Sequence, residues 1–155
     1  TYHGPGQLVG YPIINLRHHQ RKIKRFVHNI ETFIIELLGR HYSIRCHTED
    51  DYIGVWVENR KIAAIGISIH KGVSMHGFAL NVCTDLDYFS FIIPCGIQGG
   101  QRGVTSIAKE LARETGAPEV TVKAVLQQAG PLFAEIFGYE HVENIPGEVV
   151  QERLK

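Results

Sequence analysis

The chain carries one cysteine, one lysine and two histidines whose surroundings suit chemistry. Cys95 lies between Pro94 and Gly96, at the end of the apolar run 89–93. Proline fixes one backbone angle and glycine leaves the other side unhindered, so a ligand has room to approach the sulfur. A thiol attacks a carbonyl as its thiolate, and a neighbouring cation lowers its pKa from about 8.5. The competing reading is an inert buried cysteine. Cys46 and Cys83 keep that reading, since each falls within an expected strand and lacks the Pro/Gly frame. Lys61 opens the run Lys61-Ile62-Ala63-Ala64-Ile65-Gly66 just after an expected turn. Spacing alone makes it a solvated hairpin-end charge; beside Cys95, its ammonium would stabilise a thiolate and trade protons with the reacting groups. His3 and His76 each precede a glycine, and either would form a Cys/His dyad only by reaching Cys95 in space.

Ala64, Gly66, Gly77 and Ala79 interrupt strands otherwise built from Ile, Phe and Leu. Such gaps are either ordinary sheet packing or the wall of a slot for an alkyl chain. Burying about seven carbons beyond a carbonyl contributes on the order of 5 kcal/mol, enough to select a medium-length acyl group. The other histidines, including His18-His19, show no HExxH or comparable spacing, so surface positions are expected and no metal site. Arg17, Arg21, Lys22, Lys24 and Arg25 form the basic cluster. It is either a solvated helix face or a landing site for an acidic carrier protein. Neither GxGxxG nor GxxxxGK[ST] occurs, so transfer from an already activated donor is favoured over an ATP-driven ligation, and no cofactor is expected.

The elements that must hold these residues fit one domain. At 155 residues and 44% apolar composition the chain can build a sizeable core. Sixteen Lys and Arg balance 16 Asp and Glu, which speaks against wrapping nucleic acid or coating an anionic membrane. Three cysteines without CxxC spacing argue against a disulfide scaffold or zinc ribbon and for a reducing compartment. No apolar run approaches the roughly 18 residues of a membrane span, so a soluble protein is expected. The chain opens on Thr1 and a glycine-rich string rather than on Met, and reads as a fragment or processed product.

A short edge strand is expected over 9–16, interrupted by Pro12. The recurrence of Ile23, Phe26, Val27, Ile30, Phe33, Ile34, Leu37 and Leu38 predicts an amphipathic helix over 19–38, stopped at Gly39. Strands follow over 42–46, 52–57, 61–69 and 75–82, paired as antiparallel hairpins. A loop is expected over 98–103, then a helix capped by Thr105 or Ser106 and ending near Thr115-Gly116. Pro118 begins a last helical stretch through Val122, Val125, Leu126, Ala129, Phe133 and Ile136, which Gly130-Pro131 should kink or split. The pattern is an α+β domain, helices packed on a mixed, mostly antiparallel sheet.

TYHGPGQLVGYPIINL, read with Lys61-Ile62-Ala63-Ala64-Ile65-Gly66, Met75-His76-Gly77-Phe78-Ala79-Leu80-Asn81 and Ile93-Pro94-Cys95-Gly96-Ile97, resembles the octanoyltransferase (lipoate-protein ligase B) family. The resemblance runs in order from Thr1 to about Ser106. It implies the biotin/lipoate-protein ligase-like α/β fold. It also implies protein lipoylation chemistry in lipoate biosynthesis: an octanoyl group passes from octanoyl-acyl carrier protein to a specific lysine of a lipoyl domain. The acceptors implied are the lipoyl domains of 2-oxoacid dehydrogenase E2 subunits and the glycine cleavage H protein. By the same resemblance Cys95 carries an acyl-thioester and Lys61 tunes the thiol and handles protons. Tyr2, His3, Ala64, Ile65, Gly66, His76, Gly77, Phe78 and Ala79 fall in the substrate-contacting segments. The family's Arg-Gly-Gly before the Tyr-His string does not occur, so residues 1–155 are expected to be a single catalytic domain, truncated at its N-terminus. A bacterial cytoplasm or a mitochondrial or plastid matrix would house it. A Cys-dependent thioesterase or amidase, and a non-catalytic acyl- or carrier-binding module, are the alternative readings.

Overall fold

The computed structural model describes residues 2–17, 23–92, 102–115 and 119–145. Within them the order is β1 (Gln7–Gly10), α1 (Ile23–Tyr42), β2 (Val55–Val57), β3 (Arg60–His70), β4 (Val73–Asn81), a 3-10 turn (Leu86–Phe91), β5 (Gly103–Val104), α2 (Ile107–Thr115) and α3 (Val122–Phe137). The strands form one sheet ordered β1-β4-β3-β2, with β5 added alongside β3. Every pairing is antiparallel except β3 with β5. This is the mixed, mostly antiparallel α+β architecture expected.

The apolar stripe of α1 supplies the core. Phe26, Ile30, Phe33, Ile34, Leu37 and Leu38 are at most 1% exposed, and each such side chain contributes about 1.5–3 kcal/mol by leaving water. The Phe33 ring stands 5.6 Å from Phe78 on β4 and 5.4 Å from Phe133 on α3, so one side chain joins sheet and helices. The β3–β4 register sets Ala63, Ile65 and Ile67 toward this core, opposite Leu80, Phe78 and His76. Ala64, Gly66 and Ser68 alternate to the open side and are exposed.

Several boundaries differ from expectation. Helix α1 does not stop at Gly39; it runs to Tyr42, and its start before residue 23 lies outside the described residues. A helical glycine costs up to about 1 kcal/mol. The last turn offsets this because the Tyr42 hydroxyl donates to Gln128 Oε1 at 2.7 Å and Arg40 pairs with Glu36 and Glu135. The stop falls at Ser43, at φ 56, where the Ser43 and Ile44 amides close onto the Gly39 and Leu38 carbonyls. Consequently no strand forms over 42–46; only His47 bridges to Trp56. The strand over 52–57 shortens to Val55–Val57.

The strand over 9–16 becomes β1, ending before Pro12, and the chain then continues along the same edge of β4, where Asn15 bridges to Val73 and the Leu16 amide donates to the Gly72 carbonyl. A Cβ on Gly77 would overlap the Gly10 carbonyl oxygen. The buried Ser74 hydroxyl donates to the Pro12 carbonyl at 2.6 Å and accepts from the Ile14 amide at 2.8 Å. Gly103, expected in a loop, pairs with Arg60. Ser106 Oγ accepts from the Lys109 amide and caps α2, whereas the Thr105 hydroxyl turns to the Glu110 carboxylate. Thr121 caps α3, which passes through Pro131 without splitting and ends at Gly138, φ 73. Pro118 lies outside the described residues.

Candidate active site

Strand β3 begins at an irregularity that decides the setting of Lys61. Val55 pairs with Ala63 but Trp56 pairs with Lys61, so one extra residue, Ile62, is accommodated on β3. A bulge bends its strand and re-aims the side chains beside it. Lys61, Ile62 and Ala63 are all buried as a result, Lys61 at 9% exposure. The solvated hairpin-end charge expected at this position is therefore corrected: the lysine is inside. Its aliphatic stem lies against Gly54, where a Cβ would sit 3.3 Å from Cε, and Gly54 adopts φ 139. Its ammonium stands 4.7 Å from the centre of the Trp56 ring. Such a cation over an indole face is attracted by about 0.5–2 kcal/mol.

The same indole carries a second cation. Arg102 lies 5.1 Å from the Trp56 ring and 4.1 Å from Tyr52, and its guanidinium pairs with Glu49 at 2.5 Å. Arg102 holds the Glu49 carboxyl below the usual carboxylate range. Arg102 leads into β5, where Gly103 and Val104 pair with Arg60 and Lys61. The chain that follows residue 101 thus returns directly beside Lys61. Cys95, with Pro94 and Gly96, lies outside the described residues.

The N-terminal loop packs on the 3-10 turn. Tyr2 stacks on Tyr88 at 5.8 Å and meets Phe89 edge-on at 5.0 Å. Tyr2, His3, Gly4, Pro5, Gly6, Cys83, Asp85 and Tyr88 line an open cavity of about 570 Å³. Ala64 and Gly66 lie on the open face of β3, and a Cβ on Gly66 would meet nothing within 4 Å. Gly77 and Ala79 pair with them on β4, and Gly10 and Pro12 approach Gly77 closely. Ile65 and Phe78 point the other way, into the core. His76 is exposed at φ 62 and meets Tyr11 edge-on at 6.1 Å, away from the Tyr2–His3 cavity. Of the basic cluster, Lys24 and Arg25 are exposed on α1, and Arg21 and Lys22 lie outside the described residues.

The two remaining cysteines differ. Cys83 is not a buried strand residue: it follows β4 and is exposed in the cavity wall. Cys46 is half-buried, and burial, then the nearby Glu110 charge, pushes its thiol from 9.0 up to about 12. At pH 8 iodoacetamide is expected to modify Cys83 roughly 10²-fold or more faster than Cys46, because only thiolate reacts; comparable rates by peptide mass mapping would contradict this environment. A raised acid pKa stabilises the fold fully below pH 9.0, and that contribution is lost as pH rises toward about 12.

Sequence reasoning passed over Trp56, Arg102, Gln7 and Asn81. The one available signal was that Trp56 is the sole tryptophan and Asn81 a lone amide ending an apolar strand. Among the described residues no group of three or more His, Cys, Asp or Glu is placed to hold a metal ion. Nor is any helix there long and apolar enough to cross a membrane.

Comparison with known proteins agrees with this architecture. The chain is 48% identical over 145 residues to an octanoyltransferase of Alkaliphilus metalliredigens, covering 94% of this chain and 63% of that protein. It is 45% identical over 156 residues to an octanoyltransferase of Caldicellulosiruptor saccharolyticus, covering 100% of this chain and 65% of that protein. The chain thus spans less than two thirds of the length of these relatives. Among solved structures, the biotin protein ligase from Aquifex aeolicus matches with a TM-score of 0.62 at 17% identity, over 86% of this chain and 53% of that one, a likeness of fold. A model of the lipoyl protein ligase A/B catalytic domain matches residues 1–129. The chain belongs to the lipoyl protein ligase A/B catalytic domain family.

Proposed function

We propose that the protein is an octanoyltransferase. It takes the acyl group of octanoyl-acyl carrier protein onto Cys95 and passes it to a lysine of a lipoyl domain. The observation that carries this reading is Lys61, buried at 9% exposure beside β5, the strand that leads out of the Cys95 segment. A lysine kept out of water at the start of a strand departs from the usual solvated position, and this supports reading it as the thiol-tuning and proton-handling group. The turn that precedes the same segment in sequence packs against Tyr2, which supports drawing Tyr2 and Lys61 into one reading. The relatives' name supports the same activity.

In the first half-reaction the Cys95 thiolate attacks the donor carbonyl and the C–S bond to the carrier breaks. Protonated Lys61 gives its proton to the departing sulfur, leaving an acyl-thioester and a neutral amine. In the second, Lys61 takes a proton from the incoming lysine amine, which attacks the thioester; an amide forms and Cys95 departs. Thioester to amide runs downhill, so no nucleotide enters the balance. The exposed small residues Ala64 and Gly66, beside Gly77 where Gly10 and Pro12 come close, would leave room for the alkyl chain. Ile65 and Phe78 would contribute backbone and core support rather than side-chain contact. The lipoyl domains of E2 subunits and of the glycine cleavage H protein would be the acceptors, and the bacterial relatives point to the cytoplasm.

The full-length protein incubated with octanoyl-acyl carrier protein is expected to gain one octanoyl adduct by intact mass. It should then lose that adduct to a lipoyl domain as octanoyl-lysine. Release of free octanoate instead would identify a hydrolase, and no adduct would identify a binding module.

A further inference from the structure

We propose that Asn81 is a positioning residue, tying the loop that carries Tyr2 and His3, through Gln7, to Thr105, whose own amide pairs with the strand start that carries Lys61. Its catalytic consequence rests on the octanoyl-transfer reading above; its structural consequence does not. The Gly4 amide donates to Gln7 Oε1 at 3.1 Å, and Gln7 Nε2 donates to Asn81 Oδ1 at 2.9 Å. Asn81 Nδ2 then donates to the Thr105 carbonyl at 2.9 Å, and the Thr105 amide donates to the Lys61 carbonyl at 3.0 Å. Gln7 and Asn81 are register partners across β1 and β4, so the chain of bonds crosses the sheet at paired positions.

Both ends are backbone groups with a single role: Gly4 N–H only donates, and the Thr105 carbonyl only accepts. Neither side-chain amide can turn over without setting two donors or two acceptors against each other. The polarity of the whole chain is therefore fixed. Asn81 is 4% exposed and Thr105 fully buried, so a broken member leaves a buried polar group without a partner. The far end is itself anchored, since the Thr105 hydroxyl meets Glu110, which pairs with Arg60 at 3.2 Å. The Gly6 carbonyl accepts separately from the Val82 and Cys83 amides, both at 3.0 Å. That clamp fastens the loop to the end of β4; the Gly4 carbonyl accepts from the Gln7 amide at 3.3 Å, while the Gly4 N–H is held by the Gln7 side chain. Asparagine suits the position because aspartate keeps the acceptor but presents an oxygen to the Thr105 carbonyl, and glutamine adds a methylene.

The test uses the full-length protein with Asn81→Asp, read by hydrogen exchange. Exchange of the Gly4 amide, which Asn81 does not touch, is expected to rise about tenfold or more, while the Val82 and Cys83 amides keep their protection. In the transfer assay kcat should fall about tenfold or more with KM for the donor within about twofold. Gln7→Ala combined with Asn81→Ala should cost no more than the worse single change, as for two members of one unit. Unchanged Gly4 protection, or losses that multiply independently, would overturn the proposal. Should Asn81→Asp fail to fold, Gln7→Ala reads the coupling in reverse: the Thr105 amide must lose protection, and its retention overturns the proposal equally. If the wild-type protein transfers no octanoyl group, the proposed function fails while the exchange result still decides this one.

Discussion

Cys95→Ser in the full-length protein is expected to abolish the hydroxylamine-labile octanoyl adduct and to lower octanoyl-lysine formation by roughly 10⁴-fold or more. The size follows from the chemistry of the two steps. A serine hydroxyl is far less ionised than a thiol at neutral pH, so attack on the donor thioester slows. Any oxygen ester formed is also a poorer acyl donor to an amine than a thioester. The substitution changes one atom, so thermal stability should move little, and the same preparation can be checked for carrier binding. Continued accumulation of a hydroxylamine-labile adduct would reject Cys95 as the nucleophile. An adduct that then mapped to Cys83, exposed in the Tyr2–His3 cavity wall, would move the acyl-carrying role there.

Lys61→Met is expected to lower the transfer rate by roughly 10²–10⁴-fold, the range for removing a positioned proton-transfer group. Methionine retains much of the stem that packs against Gly54 but carries no proton and no charge. Because the ammonium is buried, its replacement by an apolar group should leave Tm within a few degrees, the shift of about 1 kcal/mol or less in a domain this size. Loss of rate with retained stability separates a chemical role from a structural one. Trp56 supplies a local control: its ring centre lies 4.7 Å from the ammonium, so its emission should change in Lys61→Met. Near-normal transfer by Lys61→Met, with the emission change present, would remove Lys61 from the mechanism.

Local patterns carried most of the element types. The stripe from Phe26 to Leu38 can bury one face only as a helix, and the alternation in β3 and β4 suits only a half-covered sheet. What these patterns misplaced were boundaries set by distant partners. Gly39 reads as a stop until Tyr42 finds Gln128 on α3, and Tyr42 to Cys46 reads as a strand until that same contact holds Tyr42 in the helix. Pro131 reads as a break, yet Leu132, Ala134 and Phe137 are all buried beyond it, and their packing outweighs one missing amide.

For the site, residue types alone left Cys95 between an inert and a reactive thiol and Lys61 a hairpin-end charge; only the ordered motifs, read as a resemblance, joined them into one proposed acyl-transfer site. The burial of Lys61 was not legible, because it follows from a one-residue mismatch between β2 and β3 and from an indole contributed by the neighbouring strand. Nor was the Gly4–Gln7–Asn81–Thr105 chain, whose links from Gln7 to Asn81 and from Asn81 to Thr105 join residues far apart in sequence through strand register and the return of β5. Residue type and spacing limit which reactions a chain can perform. Pairing across the sheet sets which charge leaves water and which amide has a partner, and those are properties of contacts between segments rather than of any segment alone.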